Sequence, residues 1–374
     1  MAANDSVPET VDTHWVLAAP GIVERVRRPL PALPPEWVRV RVAYCGVCGS
    51  DRSYYSGARA ARLPRSIGHE WVGAVETVGS AVESVVPGDV VTTDLNFRCG
   101  TCPACMSGHS HLCERGQIGL FSNRGFARRV DIHVDYLQKC SSPAPAPHLA
   151  LAEPMSCAMH AVAHVRPGVR DRVLLVGAGG IGMCVAFLLQ REWALPFEVL
   201  DTDQVRLDRI GRAIAPLGRA ITAPSGRYDV VIDASGTVGG LRAACDRVGP
   251  GGRLSTLSHL ADGADAGFLL GIRTDITVAF SYLNGERGNL ARSVELLEQR
   301  WAPEWDALLD IRPLADLPAV FRGGAAPGSF KVIIDVGGTG TDQSESRLQG
   351  RAGNVEEVVR AGPEGLAVAP EPRR

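Results

Sequence analysis

Four consecutive apolar residues, Val173-Leu174-Leu175-Val176, run into Gly177-Ala178-Gly179-Gly180-Ile181-Gly182 and then into a second apolar stretch, Met183–Leu189. The reading is a strand that enters the pattern G-x-G-x-x-G and leaves it as a helix. Glycines at those spacings permit a tight turn, close approach of a pyrophosphate and close helix–strand packing, with the helix N-terminus facing the anion. The pattern alone is weak. Here it has both flanks, and Asp201 follows Gly182 by 19 residues at a strand end. An acid there bonds an adenosine ribose diol and repels a 2′-phosphate, which favours NAD over NADP. Arg206 argues the other way, because a nearby arginine can accept that phosphate. The candidate cofactor residues are therefore Gly177, Gly179, Gly180, Ile181, Gly182, Asp201 and Arg206. Asp233-Ala-Ser-Gly236 and Gly249-Pro-Gly-Gly252 resemble further loops of the same cleft.

Around this unit the chain changes texture. Up to about residue 150 it reads as β-rich: short apolar runs such as Val38–Val42, Trp71–Val78 and Asp89–Val91 are broken by turn signals at Pro34-Pro35, Gly57 and Pro87-Gly88. Pro143 to Pro147 is a Pro/Ala connector. A helical segment, Ser156–Val165, then leads into strand candidates at Arg172–Val176, Glu198–Leu200, Asp229–Ile232 and Arg253–Leu257. Strands alternating with helical patterns predict an α/β fold with a doubly wound parallel sheet. A helix at Leu290–Gln299 and a strand at Lys331–Val336 follow, and residues 338–374 read as a disordered tail. Val173 to Gln190 carries no charge and approaches membrane-spanning length, but its four glycines suit a turn better than a lipid-facing helix. Residues 1–20 lack a basic start followed by an apolar core, so a soluble, cytoplasmic protein is expected. A formal charge of −2 gives no electrostatic case for nucleic acid or membrane. Of 39 basic residues only Lys139 and Lys331 are lysine, a bias given no functional weight.

Ten cysteines in 374 residues do not make a disulfide scaffold. Four of them, Cys99-x2-Cys102-x2-Cys105-x7-Cys113, can surround one zinc tetrahedrally and close a loop around it. An iron–sulfur cluster also uses C-x2-C-x2-C, but there the fourth cysteine follows after three residues and precedes proline. Here the gap is seven and Glu114 follows. Unligated core cysteines fit poorly beside Gly100, Ser107 and Gly108. A second set is looser: Cys48 in Cys45-Gly-Val-Cys48-Gly-Ser50-Asp51, His69 and Glu70 after Gly68, and Glu153 before Pro154. Catalytic zinc takes about three protein ligands and one open position, and tolerates all these donor types. Each residue singly also has a bland reading, as a small core residue, a satisfied polar group or a solvated cap.

Taken together, these motifs resemble the zinc-containing medium-chain dehydrogenases, the family of alcohol, sorbitol and threonine dehydrogenases. The run Cys48–Asp51, Gly68-His69-Glu70, the four-cysteine lobe, Pro87–Val91 and Glu153-Pro154 fall in that family's order and spacing over about residues 12–337. The resemblance implies a GroES-like catalytic domain in two parts (1–154 and 289–337) around a Rossmann NAD-binding domain (155–288). It implies two zinc ions per chain and NAD, with NADP less favoured. Cys48 and His69 would bind the catalytic zinc, with Glu70 and Glu153 sharing the remaining positions. In some polyol dehydrogenases the first glutamate ligates and the later one holds water beside the metal. Cys157 would not ligate, and Cys45 would be packing. Ser50 would accept the substrate hydroxyl proton, but Ser53 stands where the family often has a relaying histidine. An arginine placed like Arg206 packs beside adenine in the polyol branch. Glu153 and the Tyr54-Tyr55 pair lean toward a polyol, amino sugar or cyclitol. A simple secondary-alcohol dehydrogenase or ketone reductase, or a catalytically inactive relative, are the rivals. A homodimer or homotetramer that takes a small-molecule alcohol or ketone, with no nucleic acid or membrane partner, completes the expectation.

Overall fold

The computed structural model describes residues 11–338, apart from residues 97, 115–123, 259–264, 266, 272–273 and 324–327. The tail expected at 338–374 thus lies, but for Gly338, outside the described residues. The strand Trp37–Gly46 organises the first half. Val38, Val40 and Val42 point inward while Arg39 and Arg41 point away, the period-two pattern of a half-buried strand. It pairs antiparallel with Glu70–Val78, with Arg129–His133 and, at its far end, with the late strand Lys331–Asp335. Val90–Thr93 and Leu137–Lys139 extend this sheet on one side and Leu309–Pro313 on the other. Val11–Ala19, Ile22–Pro29 and Arg65–Ser66 form a separate small sheet.

The second sheet has six strands in the order Gly218–Ile221, Phe197–Leu200, Val173–Val176, Tyr228–Asp233, Val248–Thr256, Thr277–Phe280, all parallel. Numbered along the chain this is 3-2-1-4-5-6, the doubly wound dinucleotide-binding order. Val173–Val176 is buried at every residue because helices cover both faces, which is why it reads as an unbroken apolar run. The uncharged stretch 173–190 is divided between that strand and the twelve-residue helix Gly180–Arg191, buried without a break from Gly182 to Gln190. No helix among the described residues is long and apolar enough to cross a membrane. One buried cluster runs from Val72 and Val90 through Leu149, Met155 and Met183 to Leu188 and Ile333. It joins the two sheets through the helix Ala152–Val165.

Two expectations need correction. The helix expected from Ser156 begins at Ala152, so Glu153 and Pro154 lie in its first turn, where proline is tolerated. Gly249–Gly252 does not line a cofactor cleft. Val248 pairs with Tyr228, the first residue of its neighbour strand, so these glycines sit at the N-terminal end of the parallel strands. They accommodate a break in register there, and the Gly177 turn is at the opposite end.

Candidate active site

Trp37–Gly46 ends two residues before Cys48, and Cys48 caps the helix Gly49–Ser56. Its sulfur accepts the Ser50 N–H at 3.5 Å, and the Asp51 carboxylate accepts the Cys48 N–H at 3.3 Å. Cysteine sulfur is an ordinary zinc ligand. The next strand begins at Glu70, opposite Gly46 in the ladder. That pairing brings His69 and Glu70 to Cys48. One donor atom from each of the three lies within 4.8 Å of the others.

His69 and Glu70 are buried, as are Asp51 and Glu153 beside them. Burial opposes the His69 imidazolium, yet Cys48, Asp51 and Glu153 together hold its pKa well above the usual value. His69 Nδ1 lies 3.9 Å from Asp51 Oδ1, too long for a hydrogen bond but close enough for charge attraction. Burial also pushes the Asp51 and Glu153 carboxyls up, with Glu70 adding to both shifts and His69 opposing them. The enclosed groups thus carry more acid than base, with a thiol, an imidazole and carboxylates as donors. This donor set fits zinc.

Glu153 is not among the donors within 4.8 Å of one another. Its Oε1 accepts a hydrogen bond from the Cys157 thiol one turn along the helix, at 3.3 Å. Ser50 is half-buried two residues beyond Cys48. Ser53 donates its hydroxyl to Gly49 O at 3.0 Å, turned back onto its own helix. Cys45 is fully buried in the apolar core of the first sheet.

Sequence reasoning missed Lys331. It is buried, its Nζ donates to Glu70 Oε1 at 2.6 Å, and it lies 2.5 Å from Oε2. Residues 261 apart carry no local signal of such a pair. The only hint was the rarity of lysine in an arginine-rich chain.

Cys99, Cys102, Cys105 and Cys113 lie together, all unbridged, with their sulfurs within 4.8 Å of one another. The Cys99–Cys105 and Cys102–Cys113 sulfur separations are 4.0 and 3.8 Å. Four sulfurs about 2.3 Å from a central zinc would stand about 3.8 Å apart, so the lobe has the right size. Backbone N–H groups of Thr101 and Cys102 point at Cys99 Sγ. Led by the Thr101 bond, such contacts lower the Cys99 pKa to about 6.

At the turn of the glycine motif Gly177 has φ +93°, and a Cβ there would meet Ser235 N at 2.7 Å. A Cβ on Gly182 would lie 1.9 Å from Gly177 O. Asp201 Oδ2 accepts the Ala178 N–H at 2.7 Å and so anchors the turn. Arg206 reaches both Asp201 oxygens, at 3.0 and 3.2 Å, and donates to Ser329 O. Gly180 and Ile181 open the helix behind the turn, with Gly179 as its cap.

Residues 34–141 match the alcohol dehydrogenase GroES-like domain. The L-threonine 3-dehydrogenase of Caldanaerobacter subterraneus subsp. tengcongensis is 30% identical over 62% of this chain and 71% of its own. The L-idonate 5-dehydrogenase of Vitis vinifera is 35% identical over 48% of this chain and 50% of its own. A zinc-binding dehydrogenase from Sinorhizobium meliloti 1021, solved with NADP bound, superposes with a TM-score of 0.74 at 25% identity, covering 87% of this chain and 100% of that one. The chain belongs to the zinc-dependent medium-chain dehydrogenases, a family of NAD(P)-dependent alcohol dehydrogenases.

Proposed function

We propose that the protein transfers a hydride between NAD(H) and a secondary alcohol of a polyol, amino sugar or cyclitol. The observation that carries this is the convergence of Cys48, His69 and Glu70, with Glu153 buried beside them. Cys48, His69 and one of the two glutamates would hold the catalytic zinc, and the lobe of Cys99, Cys102, Cys105 and Cys113 a structural one. The first zinc would supply Lewis acidity that lowers an alcohol's pKa, and NAD would supply the hydride acceptor. Ser50 takes the hydroxyl proton. Ser53, at the position where the family often has a relaying histidine, turns its hydroxyl onto Gly49 O. Asp51 stands 3.9 Å from the His69 ring, and the Cys157 thiol donates to Glu153.

Related enzymes named for L-threonine and L-idonate support a substrate bearing several polar groups. Asp201, anchored beside the glycine turn, supports NAD over NADP, since an acid at this place in the fold repels a 2′-phosphate. The test is zinc analysis with NAD reduction across polyols, amino sugars, cyclitols and simple secondary alcohols. About two zincs per chain and turnover on a polyhydroxylated substrate are expected. Turnover confined to simple alcohols would favour the rival substrate class, and one zinc without turnover the inactive relative.

A further inference from the structure

Three histidines meet beside the cysteine lobe, and none of them belongs to the donor sets above. His160 and His164 stand one turn apart near the end of the helix Ala152–Val165, and His111 lies in the short turn Ser110–Leu112 that leads into Cys113. The His111 and His160 ring centres are 4.7 Å apart, and those of His160 and His164 4.5 Å. Gly285 presses on the middle ring: a Cβ there would lie 2.5 Å from His160 Nδ1. His164 is exposed while His160 and His111 are half-buried, so the cluster opens to solvent at one end. At the inner end His111 Nδ1 is buried with no hydrogen-bond partner among the described residues. Packing alone does not call for a polar ring in that position, since a buried nitrogen left unpaired is costly and apolar rings pack as well. Burial first, then the neighbouring histidines, lowers the His160 pKa to about 4. A ring that is neutral at ordinary pH keeps a lone pair on one nitrogen.

We propose that His111, His160 and His164 form a further metal site, which takes a divalent transition metal that imidazole prefers, such as zinc or nickel. Two histidines four apart on one helix face are the arrangement with which H-E-x-x-H binds zinc. Here the third ring comes from the turn inside the cysteine lobe. The rings are inclined at 67° and 60° to one another, so binding turns them until one nitrogen of each lies about 2.0–2.1 Å from the ion. Water fills the remaining positions at the exposed end. The ion ties the lobe to the helix whose first turn carries Glu153. The site stands whether or not the protein is a dehydrogenase, since none of its residues belongs to the proposed active site.

Nickel is the probe. Untagged protein is dialysed against a weak chelator until only sulfur-held zinc remains. Nickel is then titrated in by calorimetry, and bound zinc is counted before and after. About one further ion per chain should bind, with no loss of zinc and with a spectrum that lacks thiolate-to-metal charge transfer. Partners in the outer shell of a metal are already worth about 10- to 100-fold in affinity, so losing a direct ligand should cost at least about ten-fold. His164→Gln alters an exposed side chain and should weaken nickel by that factor without disturbing the fold. His160→Gln/His164→Gln should weaken it by about a hundred-fold or more. Nickel should raise the melting temperature of the native protein and leave that of the double variant unchanged. Melting without nickel, and zinc content, should match the native protein in both variants. Absence of any ion beyond the zinc would overturn the proposal, as would nickel bound through sulfur or in exchange for zinc. Native nickel affinity in folded His164→Gln would overturn it equally.

Discussion

Replacing Asp201 by asparagine keeps the shape of the side chain and removes its charge, so it isolates what the carboxylate does for cofactor choice. Asp201 is nearly buried, and its oxygens receive the Ala178 N–H, the Asp203 N–H and the Arg206 guanidinium. A hydrogen bond from a ribose hydroxyl to a charged acceptor contributes about 1.5–3 kcal/mol, and a neutral one about 1 kcal/mol. The substitution should therefore cost about 1–2 kcal/mol of NADH binding, roughly a 5- to 30-fold rise in Kd. For NADPH the sign reverses. The native carboxylate repels a 2′-phosphate by about 1 kcal/mol or more per charge pair at 4 Å, reduced because Arg206 already offsets part of that charge. In the variant that repulsion vanishes, and Arg206, still held by Ser329 O, turns toward the phosphate. The preference for NADH over NADPH should shrink by about two decades in all, near 2.7 kcal/mol. Fluorescence titration of both nucleotides measures it, with a thermal melt to show that the Ala178 turn still forms. Native protein that binds NADPH as tightly as NADH would refute the reasoning, as would an unchanged ratio in the variant.

Alanine at Cys48 or His69 should remove one zinc per chain and lower turnover by about 10³-fold or more while NADH still binds, since transition-state electrostatics is lost and the nucleotide turn is untouched; metal analysis beside NADH titration decides, and near-normal turnover would contradict the ligand assignment. Cys102→Ala should empty the lobe instead, because the remaining sulfurs cannot close a four-coordinate site; limited proteolysis should then cut between residues 99 and 113, and full zinc content would refute the structural site. His14 gives a pH dependence. Burial first, then Arg28 and Arg124, lowers its pKa to about 4 in the fold. Unfolding raises it to its ordinary value, so the unfolded chain binds more protons and stability falls as pH drops through 6.5 toward 4. Between pH 7 and pH 5 the loss is about 2 kcal/mol. His14→Gln should show a smaller drop in Tm over that range, and an equal drop would count against it.

The parallel sheet was legible because strands covered on both faces must be apolar throughout, as Val173–Val176 is. Ile22–Pro29 was not: its outward residues include arginines, and only pairing with Val11–Ala19 makes it a strand. The four-cysteine lobe could be read from spacing, since its ligands span fifteen residues. Cys48 and His69 carry less local information. They meet because Gly46 pairs with Glu70, and pairing between distant strands leaves no mark at either residue. Gly249–Gly252 misled for a related reason: a glycine cluster announces a turn or bulge without saying at which end of the sheet. Lys331 was invisible, because it meets two glycines and a carboxylate that are remote in the chain.

The strand Lys331–Asp335 is threaded between Leu309–Pro313 and Trp37–Gly46. During synthesis, therefore, the first sheet waits with one edge open until nearly the whole described chain has left the ribosome. Ile334 must find Cys45 across almost three hundred residues, a long loop to close and a slow step in folding. Until then Glu70 has no counter-charge, and a nascent chain stopped before residue 331 has the metal donors without the lysine that steadies them. A stop codon a few residues upstream of that strand should remove the activity altogether, though every candidate zinc ligand has already been translated.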